Sequence, residues 1–151
     1  MLDFHRLLDA ADAGGPLVHE TSEPLLEVPS DLAPAAGVRR LSGTRMADLA
    51  SLYDEASAAL QFPGYFGRNL DAFDECLRDL DLPEAPGGAV ILVVTDAAAM
   101  LGDEPGRRQW FVEAISDANE VRAGRGTGPL IVVFSAFADL APADRWWNPR
   151  A

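Results

Sequence analysis

The chain has 151 residues, with 12 arginines, no lysine, 24 aspartates and glutamates, two histidines and one cysteine, for a formal charge of −12. This length fits one domain with an appendage, and a chain of this size buries roughly 68–70% of its unfolded surface, so it needs neither disulfide nor metal. The composition excludes a Walker A loop and Schiff-base chemistry, which need lysine, an internal disulfide, a zinc site of Cys and His alone and, by charge, sequence-independent nucleic-acid binding.

The N-terminus carries Asp3, Asp9 and Asp12 and no basic segment, so no signal peptide is expected. The longest apolar run, around Val90–Val94, is about 6 residues, against the ~18 that span a membrane. A soluble, cytoplasmic protein is therefore expected. Leu2, Phe4, Leu7, Leu8 and Ala11 recur with helical spacing, and Gly14-Gly15-Pro16 stops them, which predicts a short amphipathic helix over Leu2–Ala13. Pro16–Glu20 can form a short strand. Pro24, Pro29 and Pro34 make Thr21–Ala36 a loop or extended connector.

Gly37–Leu41 is a weak strand. Thr44 is a plausible N-cap for a helix from Arg45, with Met46, Leu49, Leu52, Tyr53, Ala56 and Leu60 as its apolar stripe. Phe62-Pro63-Gly64 ends that helix, and another runs from Asn69 to about Leu80. Ala89–Thr95 does not alternate and reads as a strand buried on both faces, as does Leu130–Ser135. Asp96–Leu101 is a short helix or turn, and Gly106–Ala123 is a helix. Two buried strands separated by a helix imply a parallel βαβ unit. Gly124–Pro129 reads as a plain loop. In the tail after Ser135, Trp146 and Trp147 are expected to pack on the domain rather than mark an oligomer contact.

The chemically informative stretch is Gln61–Leu80. At ~100° per residue, Leu70, Phe73, Cys76, Leu77 and Leu80 fall on one side of the helix, and Asp71, Asp74, Glu75 and Asp79 on the other. Asp71 and Glu75 stack at i,i+4, where like charges repel by a few tenths of a kcal/mol. The helix macrodipole accounts for Asp71 in the first turn, but less well for Glu75. The acids are either a solvated face or a ridge awaiting cations. Tyr65 and Phe66 sit between Gly64 and Gly67; one can anchor the loop while the other is exposed, a hot-spot pattern beside acids. Phe62 is assigned to the core. Cys76 is expected to be a packing residue, and His5 and His19 surface residues. Three carboxylates on one helix converge poorly on Mg²⁺ or Ca²⁺, so no metal and no cofactor is expected.

Phe62 to Leu77, read as FPGYFGRNLDAFDECL, resembles the signature of the barstar family, intracellular protein inhibitors of secreted ribonucleases of the barnase type. The order of elements extends the resemblance over Gly37–Ser135. It implies a small α/β fold, a three-stranded parallel sheet packed against helices. Residues 1–36 form an N-terminal extension, 37–135 the domain and 136–151 a tail. It also implies a non-enzyme, an inhibitor or immunity protein for a basic ribonuclease. Tyr65 would pack on the catalytic histidine, Asn69 and Asp71 would bind at the loop–helix junction, and Glu75 would occupy the phosphate site. The sequence departs from the pattern in having Glu75 where Asp is usual, and Asp74 where an aromatic is common. A further family acid maps to Asp117 by order and spacing, with Glu113 and Glu120 as neighbouring choices. The alternatives are an interaction module for another basic protein and, more remotely, an acid-dependent hydrolase.

Overall fold

A computed structural model describes residues 2–22, 27–136 and 140–148. Helix α1 (Phe4–Asp12) precedes strand β1 (Val18–Thr21); then come β2 (Ala36–Ser42), α2 (Leu49–Leu60), α3 (Leu70–Asp79), β3 (Ala89–Thr95), α4 (Arg108–Gly124) and β4 (Leu130–Ser135). The strands form one sheet in the order β1-β4-β3-β2, with every neighbouring pair parallel. The expected βαβ unit is β3-α4-β4.

The sheet has four strands, not three. The fourth is β1, which aligns Val18 with Val132 and Thr21 with Ser135 at the β4 edge. Its four residues alternate between exposed and half-buried, so the local apolar signal is weak. What holds it is long-range pairing with β4.

The two central strands separate two cores, which is why their sequences are apolar at successive positions. One face presents Val90, Leu92, Val94, Leu130, Val132 and Phe134 to α2, α3 and α4. The other presents Ile91, Val93, Ile131 and Val133 to Phe4 and Leu7 of α1 and to Leu32 of the connector. The tail closes the end of the first core: the Trp147 ring stacks on Phe134 at 5.1 Å, and the Trp146 indole donates to the Ala97 carbonyl at 2.9 Å.

Helix α2 begins four residues later than Thr44 and Arg45 suggest. Asp48 is the N-cap, in a reciprocal capping box: its carboxylate accepts from the Ser51 amide at 2.8 Å, and the Ser51 hydroxyl accepts from the Asp48 amide at 3.1 Å. Gly43–Arg45 instead forms a tight 3-10 turn. Gly43 lies so close to the Asp96 carbonyl that a Cβ there would collide with it. Met46, read as the first residue of the helical stripe, is still fully buried.

Candidate partner-binding face

The loop between α2 and α3 is tied down at both ends. Arg68 has a left-handed backbone, with φ of 51°. From there its guanidinium reaches back over the Tyr53 ring, donates to Asp54 at 2.6 Å and to the Ala50 carbonyl at 3.3 Å. Asn69 caps α3, as its place in the sequence suggests. Its side-chain oxygen accepts from the Ala72 amide at 2.8 Å, while its amide group donates to the Gly67 carbonyl at 3.2 Å. The loop and the helix start are thus one hydrogen-bonded unit.

The two loop aromatics divide their roles. Phe66 turns inward, edge-on to Tyr53 at 5.6 Å and to Phe62 at 5.2 Å. Phe62 packs on Phe73, which meets Trp110 of α4 at 5.3 Å. This aromatic cluster supports the loop from below. Tyr65 is left 86% exposed. A large side chain so far out of the core contributes little to folding, which makes it available to a partner.

Tyr65 and Glu75 line one cleft between the loop and α3, together with Phe62, Phe66 and Cys76. Asp79 and Asp81 line the same cleft. Glu75 and Asp71 are both exposed, on successive turns of α3. The Cys76 thiol is half-buried, and desolvation first, then the charges of Glu75 and Asp79, push its pKa up. That places it as a packing residue with little thiolate at neutral pH.

Asp74 does not share that solvated face. Its Oδ1 is buried without a well-formed hydrogen bond, and so is the indole nitrogen of Trp110. Desolvation raises the Asp74 pKa, opposed by Arg78 and by the nearby Trp110 indole and reinforced by the charges of Asp117 and Asp71. Helix α3 packs along α4, and the buried Asp74 Oδ1 beside the Trp110 indole of α4 puts Asp74 at that seam rather than at the centre of the ridge. Asp117 is exposed on α4 and near enough for its charge to reach Asp74. The predicted acids therefore split. Glu75 shares the cleft with Tyr65, while Asp71, Asp74 and Asp117 form a group toward α4. Among the described residues no three His, Cys, Asp or Glu side chains gather as a metal-binding group. His5 lies 3.1 Å from Asp31, and His19 3.0 Å from the Pro16 carbonyl, both remote in sequence from α3.

Arg122 escapes the sequence reading although it holds the site together. It is 1% exposed. Its Nη1 donates to the carbonyls of Leu80 at 2.7 Å and of Leu77 and Arg78 at 3.3 Å, and its Nε donates to Gly128 at 2.7 Å. A cation thus caps the C-terminal end of α3, where the helix dipole is negative. The signal was present: Phe111, Ala114, Ile115, Ala118 and Arg122 fall on one buried face of α4. A charge at a core position is a request for partners.

No helix among the described residues is long and apolar enough to cross a membrane. A family model described as Barstar (barnase inhibitor) matches residues 36–135. No curated protein matches the chain.

Proposed function

The chain belongs to the barstar family, and we propose that it is an inhibitor, not an enzyme, which binds a basic ribonuclease and blocks its active site. The family's description names barnase as the target. A cleft built to hold RNA phosphates presents cations, and α3 offers carboxylates in their place. Glu75 takes the phosphate position, with Asp71 and Asn69 at the loop–helix junction and Tyr65 packed on the catalytic histidine. Asp117 and Asp74 contribute charge from the α4 side. Carboxylates desolvated against guanidinium groups form short, often bidentate bonds. The charge of −12 steers the encounter with a basic partner and makes association faster at low salt. Such an inhibitor acts in the cytoplasm, as an immunity protein against a toxin that would otherwise degrade RNA there.

The observation that carries this reading is Tyr65, 86% exposed on an anchored loop and lining one cleft with Glu75. The test is calorimetric binding and inhibition across a panel of barnase-like and related ribonucleases. A partner bound tighter than about 1 μM, or roughly −8 kcal/mol, supports it; no such partner in any class refutes it. A second reading, an interaction module for a basic protein without nuclease activity, is favoured by Asp74, which stands where the family signature commonly has an aromatic. Pull-down with identification of the captured protein separates the two.

A further inference from the structure

Arg68 puts a cation on the loop that carries Tyr65, where docking on a basic protein calls for acids, and its backbone is left-handed, with φ of 51°. A residue other than glycine is destabilised in that conformation, so the position needs a compensating interaction. The guanidinium finds it on α2. It donates to Asp54 at 2.6 Å and to the Ala50 carbonyl at 3.3 Å, and it lies 5.9 Å from the centroid of the Tyr53 ring. These three residues, spaced by three and four, share one face of the helix. Tyr53 is 5% exposed, so the ring beneath the guanidinium is fixed in the core.

Phe66, two residues earlier, meets the same Tyr53 ring edge-on at 5.6 Å. Its amide donates to the Pro63 carbonyl at 2.9 Å. That bond closes a four-residue turn, Pro63–Phe66, with Tyr65 in its third position. Tyr53 thus holds the outgoing end of the turn from both sides of Gly67, through a ring contact to Phe66 and a cation at Arg68. The Tyr65 ring itself remains in solvent.

Resting on the inhibitor reading, we propose that Arg68 is a positioning residue for Tyr65: it fastens the loop to α2, so that the ring is offered to the ribonuclease in one place, and it does not itself attract the partner. Exposed ion pairs and cation–ring contacts are individually weak. Here three contacts converge on one planar group, which can fork onto a carboxylate and a carbonyl while stacking on a ring, as an ammonium does not. A loop held in place loses less freedom on docking. The sign of the effect separates this role from electrostatics. By charge alone, removing a cation from an inhibitor of a basic protein strengthens binding; by positioning, it weakens binding.

The test is binding kinetics of the full chain with whichever panel ribonuclease the wild type binds, comparing Arg68→Asn, Arg68→Lys and Asp54→Asn. Asparagine tolerates the left-handed backbone, and an unchanged melting temperature verifies the fold. Dissociation is expected to accelerate about fivefold for Arg68→Asn and about two- to threefold for Asp54→Asn, with Arg68→Lys between wild type and Arg68→Asn. In a double-mutant cycle, Tyr65→Ala costs less binding in the Arg68→Asn background than in wild type, a coupling that a role confined to stability does not produce. In the free chain, the Phe66 amide is expected to exchange about fivefold faster in Arg68→Asn, while the amides of β3 keep their rates. Unchanged or slower dissociation of Arg68→Asn, from a wild type that binds, overturns the positioning role and leaves the inhibitor reading standing. So does additivity of Arg68→Asn and Tyr65→Ala, or a Phe66 amide that keeps its wild-type exchange rate. Failure of the wild type to bind any ribonuclease removes the inhibitor reading, and this role with it.

Discussion

Replacing Arg122 with methionine removes the cation that fastens α3 to α4 while keeping most of the side-chain volume. Two of its four hydrogen bonds are short, to Leu80 and Gly128 at 2.7 Å; the two to Leu77 and Arg78, at 3.3 Å, share one nitrogen with the Leu80 bond. Hydrogen bonds from a charged donor contribute about 1.5–3 kcal/mol each, so the short pair is worth roughly 3–6 kcal/mol. Against this stands the desolvation of the guanidinium, several kcal/mol per buried ion. No carboxylate bonds to it among the described residues, and its Nη2 is buried without a partner. Methionine escapes the desolvation but leaves the carbonyls unpaired, at about 1–3 kcal/mol for each buried group. The expected net loss is about 3 kcal/mol, or about 6–12 °C in melting temperature at ~2–4 °C per kcal/mol for a chain of this size. Chemical denaturation followed by far-UV circular dichroism measures it. Arg122→Lys, a point charge without the fork, is expected to recover less than half. A loss under about 1 kcal/mol for methionine, or a gain, refutes the account: the charge would then be a burden that packing carries, not a clamp.

Tyr65→Ala is expected to leave stability within about 0.5 kcal/mol, as for a surface change, while weakening ribonuclease binding by about 2 kcal/mol or more, the size of a hot spot; equal effects on both would place the ring in the fold rather than the interface. Phe4→Ala, at a side chain 2% exposed against the far face of the sheet, is expected to cost about 3–5 kcal/mol, measured by urea titration. A cost below about 1 kcal/mol would mean the N-terminal helix is an appendage that the sheet does not need. Asp74→Asn is expected to raise the melting temperature at pH 7 and leave it nearly unchanged near pH 3. The folded pKa lies above the ordinary 3.8, from desolvation first, so the ionised form opposes folding above that raised value. The penalty vanishes once pH falls below 3.8 and both states are protonated. A gap that persists at pH 3, or opens in the other direction, contradicts the desolvation argument.

What could be read from the chain follows the range of the interactions involved. The helix cap at Asn69 and the buried strands at Ala89 and Leu130 stand where the sequence places them; the loop divides its aromatics as the sequence suggests, but that Phe66 is the inward one is decided by its packing on Tyr53 of α2. The start of α2 is ambiguous in the sequence because Thr44 and Asp48 are both competent caps. A contact from the Asp96 carbonyl, more than 50 residues away, presses Gly43 into a tight turn and leaves the cap to Asp48. The short strand offered by Pro16–Glu20 is present as β1, but its place as the fourth strand of the sheet is not legible locally, because its four residues bury little of themselves. Its register is set by β4, over 100 residues later. A helical wheel puts Asp74 with the other acids because it knows the angle of a side chain but not the position of the next helix.

Concentrating carboxylates on α3 has a consequence for the free protein. Asp71, Asp74, Glu75 and Asp79 lie within a helix of 10 residues that has Arg78 as its basic residue. Their mutual repulsion opposes the helix, and the desolvation of Asp74 adds to that. The structure counters with interactions that need no carboxylate from the exposed face. Asn69 caps the start, Phe73 and Leu77 enter the core, Arg68 straps the preceding loop to α2, and Arg122 caps the end. Apart from Asp79, which pairs with Arg125, the surface acids are therefore available to the cationic partner proposed above. A rigidly held array loses little conformational entropy on docking, which favours affinity. Weakening Arg122 should accordingly cost binding as well as stability, whereas neutralising Asp74 should stabilise the free fold while removing charge from the α4 side of the face. Opposite signs for Asp74 and equal signs for Arg122 distinguish a residue retained for a partner from one retained for the fold.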